Sequence, residues 1–157
     1  MNPDNPIKEI MSTSLVTVSP ESRISEILEI FKKNEFHHIP VIEPGEKLAG
    51  IISREDCFKF AFFLSMNTSG ETYSENEYGH LTAREMMTAY PVALDPDDSI
   101  GLAADIFLAN KFHALPIIDE EALVGIVTTH DLLNYGYNRR VVEGKDGQET
   151  LDSVRIW

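Results

Sequence analysis

A chain of 157 residues, 43% hydrophobic and 25% charged, has the make-up of an ordinary globular protein. It is long enough for one domain, or for two halves of about 60 residues that share a core. Its 26 acidic side chains outnumber 13 basic ones, for a formal charge of −13, and binding a phosphate backbone needs a clustered basic surface, so nucleic acid is discounted as a partner.

Taken in chain order, Met1 to Pro6 has no basic stretch followed by an apolar run, so it does not read as a secretory signal, and a cytoplasmic address is expected. A helix is predicted to begin near Ser19-Pro20-Glu21, with serine as the cap and proline in the first turn. Ile24, Ile27, Leu28 and Phe31 keep the spacing of one buried helical face. The runs Ile39–Ile42 and Leu48–Ile52 flank Pro44-Gly45 as the strands of a hairpin would.

The next helix holds Cys57, the only cysteine, which permits neither an intrachain disulfide nor a cysteine-based zinc cluster and reads as a buried residue. The apolar stretch from Cys57 to Met66 includes Lys59 and falls far short of the roughly 20 residues that span a bilayer, so no membrane partner is expected. Phe58, Phe60, Phe62 and Phe63 lie around more than one face of this helix. That is more aromatic surface than a two-layer core covers, which predicts a homodimer contact; the alternative is that the helix packs wholly against the second repeat. Residues 67–80 lack an apolar period and read as a linker tolerant of insertions.

Beyond the linker the chain repeats itself. A shift of 76 positions lays Glu9 on Glu85, Met11 on Met87, Val16 on Val92, Pro20 on Pro96, Phe31 on Phe107, His37 on His113 and Pro40 on Pro116. One residue then drops out, and Gly50-Ile51 meets Gly125-Ile126 and Asp56 meets Asp131. The second copy therefore starts its helix near Asp95-Pro96-Asp97, buries Ile100, Ala103, Ala104 and Phe107, and pairs Leu115–Ile118 with Leu123–Val127. Each copy reads as short strand, helix, strand, strand, helix, and a duplicated unit implies stacked copies related by a pseudo-two-fold axis. The predicted fold is α+β, with a first repeat over 1–60, a helix extension and connecting loop over 61–82, a second repeat over 83–136 and a tail over 137–157. Gly136 is expected to stop the last helix.

The segments that carry chemistry are Gly50-Ile-Ile-Ser-Arg-Glu-Asp56 and Gly125-Ile-Val-Thr-Thr-His-Asp131, each leaving a strand and entering a helix. A hydroxyl at such a junction faces an anion together with the free amides of the helix start, and an aspartate three residues on accepts hydrogen bonds from sugar hydroxyls. The glycine that opens each segment lets a ligand or a neighbouring backbone come close. Ser-x-x-Asp and Thr-x-x-Asp equally resemble a capping box that secures a helix start with no ligand, so both readings stand. His80 and His38 form no recognisable metal set with nearby carboxylates, and no metal is predicted.

Together the Met-x(4)-Val start, the His-x-x-Pro strand and the Gly-apolar-apolar-Ser/Thr-x-x-Asp segment, in order and twice, resemble the cystathionine-β-synthase (CBS) domain pair, or Bateman module, over about residues 7–60 and 83–136. The resemblance implies two repeats packed sheet to sheet and two clefts that take adenine-containing ligands such as AMP, ADP, ATP or S-adenosylmethionine, with no cofactor required. Carried onto this chain, it implies that Asp56 and Asp131 hold ribose hydroxyls and that Ser53 and Thr128 lie near phosphate or ribose. It sets His37 and His113 at phosphate, with His38 beside them and Ala114 in its place in the second copy. Arg54 and Thr129 become phosphate neighbours, and Val16 and Val92 lie in the segments that frame the adenine. The bland alternative for each is a packed or solvated side chain, His130 included.

The leading expectation is a regulatory sensor whose nucleotide changes the angle between copies or dimer halves and so alters a regulated protein that the sequence does not identify. The competing expectation is a ligand-free scaffold or dimerisation module in which the Ser/Thr-x-x-Asp boxes act solely as caps. No Ser-His-Asp or Cys-His nucleophile set is evident, so the chain is not expected to be an enzyme.

Overall fold

The structure, a computed structural model, describes residues 2–66 and 80–143. The predicted linker, apart from His80, and the tail beyond Glu143 lie outside the described residues. A 3-10 turn, Ile7–Glu9, comes first, followed by α1 (Ile24–Lys33), β1 (His38–Glu43), β2 (Lys47–Ser53) and α2 (Arg54–Met66). The second half runs α3 (Ala83–Met86), β3 (Thr88–Ala89), α4 (Ile100–Ala109), β4 (Ala114–Asp119), β5 (Ala122–Thr128) and α5 (Thr129–Glu143). The expected α+β pair of tandem repeats is the observed architecture.

Each repeat is built on an antiparallel hairpin, and the two hairpins agree residue for residue. His38 pairs with Ser53 and Val41 with Gly50 in one; Ala114 pairs with Thr128 and Ile117 with Gly125 in the other, with a bulge after Val41 and after Ile117. The first turn takes Gly45 and Glu46 through positive φ, whereas the second, shorter by a residue, places Glu120 and Glu121 there. The hairpins join through one strand pair, Lys47 with Ala122, so the sheet runs β1-β2-β5-β4 with β3 added on β2.

The cores are exchanged at their edges. Ile24, Ile27, Phe31, Ile39, Val41, Ile52 and Cys57 form the first core, but Ala83 completes it, with Met86 and Met87 packed against it. Leu94, Ile100, Ala103, Leu115, Ile117 and Val127 form the second, and Ile7 completes that one, with Ile10 and Met11 alongside. Fully burying an isoleucine contributes about 1.5–3 kcal/mol, so Ile7, with no exposed surface, is a substantial anchor of the N-terminal segment. Ser12 exchanges both backbone hydrogen bonds with Ile126, and β3 pairs with β2 in the equivalent place.

This exchange accounts for the two glycines. A Cβ on Gly50 would stand 2.6 Å from Met87 Sδ and 2.8 Å from the Thr88 carbonyl, and a Cβ on Gly125 would stand 2.6 Å from Met11 Sδ and 3.3 Å from the Ser12 carbonyl. The close partner foreseen for these glycines is therefore the crossing backbone of the other repeat.

Two expectations are corrected. The helices predicted at Ser19-Pro20 and Asp95-Pro96 begin later, at Ile24 and Ile100, with Arg23 and Ser99 as N-caps. Residues 19–22 and 95–98 instead make tight turns whose carbonyls are engaged from outside: Pro20 and Ser22 accept from Arg84 and Ala83, and Pro96 and Asp98 accept from Lys8 and Ile7. A carbonyl held by the exchanged segment is not available to a helical ladder. Gly136 does not stop the last helix, which continues to Glu143. Its φ is not positive, and the cost of about 1 kcal/mol for a mid-helix glycine is offset where the neighbouring Tyr135 packs on the second core and its hydroxyl accepts from Asn5 at 3.0 Å. On the phenylalanine helix, Phe58, Phe62 and Phe63 are exposed, which goes against its packing wholly inward, and Cys57 is buried as expected. Burial pushes the Cys57 thiol up to about 11.

Candidate ligand-binding clefts

Two open clefts lie where the repeats meet. The first, about 890 Å³, is walled by the Ser12–Val16 segment, the loop from Glu35 to His38, and the β5–α5 junction from Thr128 to Asp131. The second, about 730 Å³, is walled by the matching Thr88–Val92 segment, the Lys111–Leu115 stretch and the β2–α2 junction with Ser53 and Asp56. Each cleft thus takes its loop from one repeat and its helix entrance from the other. Every residue singled out in the sequence lines one of them. Val16, Arg54, Thr128, Thr129 and Asp131 line the first, Val92, Ser53 and Asp56 line the second, and His37, His38 and His113 line both.

The helix entrances are tied by local hydrogen bonds. Ser53 Oγ donates to Asp56 Oδ2 at 2.6 Å and accepts from the Asp56 amide at 3.0 Å. In the second copy Thr128 Oγ1 and the Thr128 amide donate to Asp131 Oδ2 at 2.6 and 2.8 Å, and the Asp131 amide donates back to Thr128 Oγ1 at 3.3 Å. Both are capping boxes, as the alternative reading of the motif holds. These contacts fall on Oδ2, so Oδ1 of each carboxylate takes no part in the box. The first amide of each helix is also engaged, because Arg54 N donates to the His37 carbonyl at 2.7 Å and Thr129 N to the His113 carbonyl at 3.2 Å. Two of the first three amides are therefore used internally, leaving those of Glu55 and His130 outside the caps. The helix starts offer an anion less than their bare dipoles suggest.

The same bonds fix the histidines. A carbonyl clamped by the helix start holds the backbone of His37 and of His113, exposed residues that line both clefts. His38, opposite Ser53 in the hairpin, is half-buried, and desolvation, reinforced by His113 and His37, pushes its imidazole down to about 4 against the opposing pull of Asp56. At neutral pH His38 is therefore an uncharged hydrogen-bonding group. Ala114, opposite Thr128, leaves the second copy without an equivalent.

Arg54 is half-buried, its guanidinium carbon 5.7 Å from the Phe58 ring centroid. Val16 and Val92 are 42% and 47% exposed, apolar surface that a flat ring would cover. Several cleft residues carried no signal of their own in the sequence: Glu35 and Lys111 on the loops, Lys59 one turn into α2, and Tyr90, whose φ of 49° holds it in the left-handed region beside the second cleft. Glu35 and Lys111 could have been found by asking which matched positions of the repeat differ in charge.

Comparison with known proteins agrees with this geometry. The family model described as CBS domain matches residues 7–62 and again 83–138. The chain is 29% identical over 126 residues to the CBS domain-containing protein YhcV of Bacillus subtilis, covering 80% of this chain and 81% of that protein. Among solved structures, the CBS domain pair of protein MJ0100 in complex with 5′-methylthioadenosine and S-adenosyl-L-methionine superposes with a TM-score of 0.71 at 25% identity, over 87% of this chain and 99% of that one. CBSX2 in complex with AMP shares the fold with a TM-score of 0.69 at 22% identity, over 87% and 98%.

Proposed function

For a chain that belongs to the CBS domain family and carries its unit twice, we propose a regulatory module that senses an adenine nucleotide or related adenosyl ligand in the clefts between its repeats. The observation that carries the reading is the pair of open clefts, each lined by an exposed valine, by His37, His38 and His113, and by a carboxylate with one oxygen outside its capping box. Oδ1 of Asp56 or Asp131 accepts from ribose hydroxyls without breaking the cap, so binding costs no helix stability. Val16 or Val92 covers one face of the base, and His37 and His113, with Ser53, Arg54, Thr128 and Thr129, meet the phosphate or ribose end. The adenosyl ligands held by the CBS pair of MJ0100 support this ligand class.

Sensing follows from the way each cleft draws on both repeats, so a ligand that fits one relative angle better than another shifts the population toward it. The two hairpins themselves meet through a single strand pair, Lys47 with Ala122, while the exchanged segments at Ile7 and Ala83 carry any change in one repeat to the core of the other. A homodimer would relay the change. Phe58 and Phe62 of α2 match Leu133 and Tyr137 of α5 under the repeat, and all four are exposed. A self-complementary contact suits two such equivalent faces. The role is regulatory rather than catalytic, and its target is a separate protein or domain.

The test is thermal unfolding with AMP, ADP, ATP, S-adenosylmethionine, methylthioadenosine, NAD and cyclic dinucleotides. A ligand at 100 times its Kd stabilises the folded state by about 2.7 kcal/mol, a readily measured shift. The double replacement Asp56→Ala with Asp131→Ala should abolish the shift. A panel with no shift at all favours the scaffold reading, in which the boxes serve only as caps, and the closed hydrogen bonds at both helix starts are the observation on that side.

A further inference from the structure

We infer that the two clefts are charge-selected for different ligands, the second for an adenosine polyphosphate and the first for an adenosyl ligand without a phosphate chain. This rests on the adenosyl-sensing reading and says which member of that class each cleft takes. The observation is the pair of matched positions Glu35 and Lys111, two residues ahead of His37 and His113, where the pseudo-two-fold sets a carboxylate at the mouth of one cleft and an ammonium at the mouth of the other. Of the charged residues lining the clefts, this pair alone has opposite signs under the repeat. Lys111 forms no ion pair with a described residue and is exposed, so its charge is available to a phosphate.

The surroundings reinforce the difference. The second cleft adds Lys59, whose ion pair with Glu55 is fully exposed and easily traded for a phosphate. In the first cleft the cation is Arg54, stacked on Phe58, and Glu35 offsets it; with Asp131 the ionised side chains sum to −1, against zero for Lys59, Lys111, Glu55 and Asp56 in the second. On a protein whose formal charge is −13, a triphosphate favours the less negative of the two clefts, and a mouth carboxylate works against it. Glu35 suits instead an uncharged nucleoside or a sulfonium.

The experiment is calorimetric titration of the full chain with ATP and, separately, with methylthioadenosine and S-adenosylmethionine, for the wild type, E35K, K111E and the double reversal. Both positions are exposed, and circular dichroism checks that each variant is folded. The wild type should bind one ATP per chain, in a site lost with Asp56→Ala but kept with Asp131→Ala. K111E should weaken ATP at least tenfold and leave methylthioadenosine unchanged, E35K should open a second ATP site, and the double reversal should move the ATP site to the Asp131 cleft. Two equal ATP sites in the wild type, or ATP binding indifferent to K111E, would overturn the inference while leaving the sensor reading intact. Failure of all three ligands to bind would overturn both.

Discussion

Replacing Gly50 with alanine tests the exchanged architecture directly. The new Cβ would lie 2.6 Å from Met87 Sδ and 2.8 Å from the Thr88 carbonyl. A methionine end can swing aside, but a backbone carbonyl in a paired strand cannot move without disturbing β3. Overpacking of this kind costs about 1–3 kcal/mol, and the backbone clash puts Gly50→Ala near the top of that range. At Gly125 the carbonyl is 3.3 Å away and the hard contact is with Met11, so Gly125→Ala falls nearer 1 kcal/mol. Met11→Ala should partly rescue Gly125→Ala, whereas Met87→Ala should not rescue Gly50→Ala, because the Thr88 carbonyl stays in place. Gly45→Ala is the control: it has a φ of 84° and open space, so it carries only left-handed strain of about 1 kcal/mol. The assay is urea unfolding with thermal melts, in which 2–3 kcal/mol lowers Tm by roughly 5–10 °C for a chain of this size. Because each core holds residues of the other repeat, one cooperative transition is expected. Gly50→Ala no more costly than Gly45→Ala, or separate transitions for the two repeats, would refute the reasoning.

Other consequences follow from the same geometry. His38 has a folded pKa of about 4 against 6.5 for the free group, so the unfolded chain binds the proton first; the stability this burial permits is complete above about pH 6.5 and falls as pH drops toward 4. His38→Gln should flatten that part of the pH–stability curve, and NMR titration of the imidazole should show the low value. Thr128→Ala and Ser53→Ala each remove an N-cap hydroxyl and should cost about 1 kcal/mol in chemical unfolding, whatever the ligand. Glu120→Asn with Glu121→Gly should stabilise by about 1–2 kcal/mol, because a two-residue turn with both φ values positive favours that pair; unchanged stability would count against strain there. Phe62→Glu with Phe63→Glu should convert a dimer to monomer in sedimentation without lowering Tm by more than a few degrees, since both rings are exposed.

The repeat, the two hairpins, the buried faces of α1 and α4 and the paired Ser/Thr-x-x-Asp junctions were legible in the sequence because each is a local pattern: a period, a turn residue or a fixed spacing. Helix starts at Ile24 and Ile100 were not, because the turns at Pro20 and Pro96 are decided by carbonyls bonded to segments more than sixty residues away. Gly136 misled for a similar reason, since tertiary packing of Tyr135 outweighed a local stop signal.

By itself the sequence determined the duplicated unit and the residue types available at each helix entrance, both being properties of short segments. Only the tertiary structure decided that Ile7 and Ala83 complete the opposite cores, that three histidines line both clefts, and that Glu35 and Lys111 line different ones. Those facts depend on which segments cross, and crossing is settled by packing between parts of the chain that no local pattern connects.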